Sequence, residues 1–70
     1  MDKGRIDLIN HLYAIATGLL NEAEELAVEG QSPSITAESL TTNSESILAK
    51  MEDTSAIVKA AQVIASEPTD

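Results

Sequence analysis

From Ile6 to Val28 the apolar residues recur with a helical rhythm, and Ile9, Leu12, Ala16, Leu19, Ala23 and Leu26 fall at alternating spacings of three and four. That spacing keeps every member on one side of a helix with 3.6 residues per turn, so the segment has the pattern of a heptad seam. The seam is not alone. Ile6, Tyr13, Leu20 and Ala27 run along one flank, and Leu8 and Ile15 along the other. At 100° per residue these positions together cover about half the circumference, more than a single neighbouring helix can hide.

A second stretch repeats the pattern in Ile47, Met51, Thr54, Val58, Ala61 and Ala65, and Ile57 and Ile64 widen it toward its end. Between the two stretches, Gly30 is placed to end the first helix by adopting the left-handed conformation that helix C-termini favour. Gln31-Ser32-Pro33-Ser34 reads as a loop. Thr41, Thr42, Asn43 and Ser44 make a poor helix interior, because short polar side chains compete for backbone hydrogen bonds. Thr42 followed by Glu45 has the spacing of a capping box immediately before an apolar run. The expected elements are therefore a helix over about 4–29, a connector over about 30–42 with a short helical turn or kink in it, and a helix over about 43–66. One continuous second helix from about Pro33 is the competing assignment. Pro68 should stop it by Glu67 and leave a short C-terminal tail.

Two helices of similar length joined by a short connection pack antiparallel. The fold class expected is all-α, with residues 1–70 forming a single helical hairpin domain. At 70 residues a lone hairpin has a marginal core. No cysteine is available for a disulfide, and the single histidine cannot supply a His-rich zinc site. With Tyr13 as the only aromatic residue, the core has to be built from aliphatic side chains. Small domains without such staples commonly rely on oligomerisation. A two-fold homodimer, in which two hairpins form a four-helix bundle, covers the surplus apolar surface economically; the alternative is that a different protein covers it. The residues expected in that core and interface are Ile6, Leu8, Ile9, Leu12, Tyr13, Ile15, Ala16, Leu19, Leu20 and Ala23 from the first helix, and Ile47, Met51, Ile57, Val58, Ala61, Ile64 and Ala65 from the second.

Charge restricts the partners. Twelve acidic residues against four basic ones give a net charge of −8, which repels a phosphate backbone and argues against direct nucleic-acid binding. No apolar run approaches the roughly 20 residues of a membrane span, so no membrane partner is expected. Asp2 and Asp7 flank the bases Lys3 and Arg5 where a signal peptide would be basic, and a cytoplasmic protein is expected.

Signals for chemistry are weak. Asp7 and His11 form an i, i+4 pair, but both project from the polar side and no nucleophile or further ligand has helical spacing to them. Glu22, Glu24, Glu25 and Glu29 gather at the end of the first helix, where a divalent-metal bundle would need a Glu-x-x-His motif that the chain does not contain. These four glutamates are a solvated face or a contact for a basic protein. Neither catalysis nor a cofactor or metal is expected. The sequence reads as a small acidic protein-interaction or regulatory module acting through a helical-bundle surface. The alternative is an acidic inhibitor that mimics nucleic acid on a basic protein surface.

Overall fold

The computed structural model describes residues 1–68 and contains two α-helices, α1 (Lys3–Glu29) and α2 (Ala37–Ser66), packed against each other as a hairpin. The last two residues of the expected C-terminal tail, Thr69 and Asp70, lie outside the described residues.

Each helix begins on a side-chain cap. Asp2, in extended conformation, accepts the Arg5 amide at 2.8 Å, and the Thr36 hydroxyl accepts the Ser39 amide at 3.1 Å. Each cap satisfies one of the amides that the first turn of a helix leaves without a partner. At the far end of α2, Glu67 turns to extended backbone with ψ 137°. The following Pro68 demands that conformation of the residue before it.

The connector is shorter than the sequence suggests. It spans residues 30–36, and α2 runs unbroken from Ala37, continuous as in the competing assignment but starting between Pro33 and residue 43. Thr42 therefore lies inside the helix and the capping threonine is Thr36. The polar run is accommodated residue by residue. The Thr41 hydroxyl bonds back to the Ala37 carbonyl at 3.0 Å, while the Asn43 side chain crosses to the other helix. Gly30 also departs from expectation, since its φ of −64° and ψ of −16° are right-handed helical values. Its amide bonds the Leu26 carbonyl at 2.9 Å, and the Gln31 and Ser32 amides follow with bonds to Val28 and Glu29 at 3.0 and 3.2 Å. Space is tight at this position. A Cβ at position 30 would sit 3.3 Å from Asn43 Oδ1.

Ion pairs fix how the helices lie alongside each other. Glu22 Oε2 meets Lys50 Nζ at 2.7 Å. At the open end Arg5 donates to the carbonyls of Glu67 and Pro68 at 2.8 and 2.9 Å. Asn43 Nδ2 donates to the Leu26 carbonyl at 2.7 Å near the loop. Tyr13 accordingly lies at the level of Val58. The hairpin is a rod with extents of 57 × 14 × 10 Å.

Candidate functional site

The side chains hidden most completely are small. Ala16 and Ala23 of α1 and Ala61 of α2 are buried, Ala61 to 3% exposure, and Asn43 is the buried polar residue at 8%. Alanines at the crossing let the helix axes approach closely. That approach leaves the larger seam residues only partly covered. Ile9, Leu12, Leu19 and Leu26 in α1 are half-buried, as are Ile47, Met51, Thr54, Ile57, Val58 and Ile64 in α2. Ala65, expected in the interface, is exposed.

The flanks of α1 remain open. Ile6, Leu8, Tyr13, Ile15 and Leu20 are each 40% exposed or more, with Tyr13 at 52%. Sequence periodicity picks out all five. It does not pick out Met1, Val28, Leu40, Leu48 and Val63, which are also exposed and, apart from Met1 and Leu40, lie well away from the seam at 100° per residue. The described residues form no further element with which to cover these side chains. Scattered single hydrophobics are ordinary on a protein surface, but contiguous rows of them mark contact sites.

The total surface gives the scale. The chain exposes 5100 Å², against roughly 4200 Å² for a compact monomer of its 7.4 kDa mass. The surplus is about 900 Å². Stable interfaces take about 800 Å² from each partner.

Charge and apolar surface separate along the rod. Residues 21–53 hold eight of the twelve acidic side chains and a single base, Lys50, so the loop half carries −7 and the remainder −1. Seven of the ten exposed large hydrophobics (Met1, Ile6, Leu8, Tyr13, Ile15, Leu20 and Val63) belong to the nearly neutral remainder. The four glutamates differ in their contacts. Glu22 is held by Lys50, whereas Glu24, Glu25 and Glu29 are exposed and make no ion pair among the described residues. The unfavourable placement of these carboxylates at the α1 C-terminus is partly offset by the positive N-terminus of α2 beside it, where Glu38 also sits in the first turn.

His11 and Asp7 are both exposed on α1, and neither makes a side-chain hydrogen bond or ion pair among the described residues. No three His, Cys, Asp or Glu side chains converge among the described residues. None of the described helices is long and apolar enough to cross a membrane. The site that the geometry does assemble is an apolar surface on both flanks of the α1 seam, concentrated toward the open end of the hairpin.

Compared with models of protein families, with curated proteins and with solved structures, the chain matches none.

Proposed function

We propose that the chain is a protein-interaction module that acts by binding rather than by chemistry, and that its working form is a homodimer of hairpins. One observation carries the reading: the hairpin buries alanines and leaves Ile6, Leu8, Tyr13, Ile15 and Leu20 in water. Water disfavours such surface by about 25 cal/mol per Å², so an exposed face of this size provides a driving force for association. A second copy supplies the same surface, and two-fold pairing lets one flank of it serve both sides of the contact. Sedimentation velocity of the purified chain at micromolar concentration tests this. The expected species has twice the 7.4 kDa chain mass; a single species at the chain mass overturns the dimer.

A second reading draws on the charge separation. The loop half, with −7 and Glu24, Glu25 and Glu29 free of ion partners among the described residues, is suited to occupy a cationic surface on a nucleic-acid-binding protein. Binding of that kind is steered by long-range attraction and weakens with salt. A pull-down from cell extract at low ionic strength that recovers no basic protein counts against it.

A further inference from the structure

Resting on the homodimer reading, we infer that the second copy docks on the edge formed by Ile6, Tyr13 and Leu20 of α1 and Met51, Val58 and Ala65 of α2. The two hairpin loops then lie at opposite ends, and a two-fold axis passes at the level of Tyr13.

The choice of edge follows from the Glu22–Lys50 pair. Residues seven apart line up along a helix with a drift of only about 20° per heptad. Leu8, Ile15 and Glu22 therefore share one row of α1, and Lys50, Ile57 and Ile64 share one row of α2. The 2.7 Å contact between Glu22 and Lys50 places these two rows on the same edge of the hairpin. A copy covering that edge along its length would have to strip water from an ion pair, which costs more than the pair returns unless its geometry is excellent. On the opposite edge the inner rows are 6, 13, 20 and 51, 58, 65, none of them charged or polar beyond the Tyr13 hydroxyl, and the next row of α2 outward, Leu48, Ser55 and Gln62, is uncharged.

These two rows are self-complementary about one level. Glu22–Lys50 and Arg5–Glu67 set Val58 beside Tyr13. A two-fold axis perpendicular to the rod at that height brings Tyr13 to Tyr13 and Val58 to Val58 of the second copy. It sets Ile6 against Leu20, and Met51 against Ala65. Every pairing is apolar, or apolar apart from a tyrosine hydroxyl at the rim.

Charge selects this arrangement over the other two-fold stack, in which the loops lie at the same end. That stack sets one loop half of −7 against another. With the axis at Tyr13, nearer the open end than the loop, each acidic end instead overhangs its neighbour. The next row of α1 outward, Lys3, Asn10, Thr17 and Glu24, agrees. In the antiparallel register Lys3 faces Glu24 of the second copy and Asn10 faces Thr17. Neither Lys3 nor Glu24 makes an ion pair within its own chain among the described residues. The surplus of about 900 Å² over the whole rod is on the scale of the roughly 800 Å² per partner that a stable interface uses.

The chain has no cysteine, so single-cysteine variants report position cleanly. Tyr13→Cys places two thiols on the axis and is expected to form a covalent dimer on mild oxidation at low protein concentration. Ile15→Cys, on the opposite edge, is expected to stay uncrosslinked. Both positions are exposed, so the hairpin fold, checked by circular dichroism, survives either change. In a separate arm without cysteines, Lys3→Glu is expected to weaken dimerisation roughly fivefold through its two symmetric contacts. Adding Glu24→Lys should restore it. Crosslinking through Ile15→Cys, through neither position, or a charge reversal without rescue overturns the register while a dimer by sedimentation leaves the homodimer reading standing. A monomeric native chain overturns both.

Discussion

Asn43 is the one buried polar side chain among the described residues, and replacing it with aspartate tests whether it holds the loop end of the hairpin together. Its Nδ2 donates to the Leu26 carbonyl at 2.7 Å from a residue only 8% exposed. Asn43→Asp changes shape and helix propensity very little, so the energetic effect comes from the lost donor and the new charge. The lost hydrogen bond costs about 1 kcal/mol; the Leu26 carbonyl still accepts the Gly30 amide at 2.9 Å, so it is not orphaned. The new carboxylate then faces the carbonyl-rich, negative end of α1. That adds up to about 1 kcal/mol of repulsion, with a further desolvation cost for a buried charge. A total loss of about 2–3 kcal/mol lowers the melting temperature of a domain this size by on the order of 15 °C. Thermal melts followed by circular dichroism, at one fixed protein concentration because assembly shifts apparent stability, give the value. A second substitution checks the geometry. Gly30→Ala has an allowed backbone conformation and should stabilise the unstrained site by about 0.5 kcal/mol, but its Cβ would stand 3.3 Å from Asn43 Oδ1. It is therefore expected to be neutral or harmful alone and stabilising in an Asn43→Ala background. An Asn43→Asp melt within about 0.5 kcal/mol of the parent, or additivity of the two changes at positions 30 and 43, would refute the assignment.

Gly18 has open space around its missing side chain and sits mid-helix, so Gly18→Ala should stabilise the fold by about 1 kcal/mol in the same melts. Thr36→Ala removes the α2 cap and should cost about 1 kcal/mol, whereas Thr42→Ala, in the exposed helix interior, should cost nothing or stabilise slightly; comparing the two by chemical denaturation separates the two candidate starts of α2. Arg5→Ala deletes the donors to the Glu67 and Pro68 carbonyls, and hydrogen exchange should show faster exchange in the last turn of α2 with the loop end unaffected.

Much of this architecture is legible in the residues. The three-and-four spacing of Ile9 through Leu26 defines α1 and its buried side, and Pro68 marks the end of α2. The start of α2 is not legible, because Thr41 and Asn43 find partners that spacing cannot register, while Thr42 and Ser44 are exposed to water. Thr41 bonds its own helix, and Asn43 bonds a carbonyl seventeen residues away in the chain. Gly30 is misread for a related reason. Its backbone is right-handed, and what crowds it is the side chain of Asn43 from the other helix. On the candidate surface, periodicity identifies Ile6, Leu8, Tyr13, Ile15 and Leu20 as surplus to a two-helix core. It places Ala65 in a contact that the hairpin alone does not make, and it says nothing of Leu48 or Val63, whose exposure follows from the absence of a third element to cover them among the described residues.

The methyl groups of Ala16, Ala23 and Ala61 set how near the two rods can come, and this makes the positions unequal in what they tolerate. Broader side chains there have no room except between the axes, so they would splay the hairpin and pull the Glu22–Lys50 and Asn43–Leu26 contacts apart. Substitutions among the big aliphatics at half-covered places such as Leu12, Leu19 or Ile47 meet solvent on one side and can be absorbed by a change of rotamer. Drift in this protein should thus be narrow at its smallest residues and wide at its largest, the reverse of a globule with a deep centre.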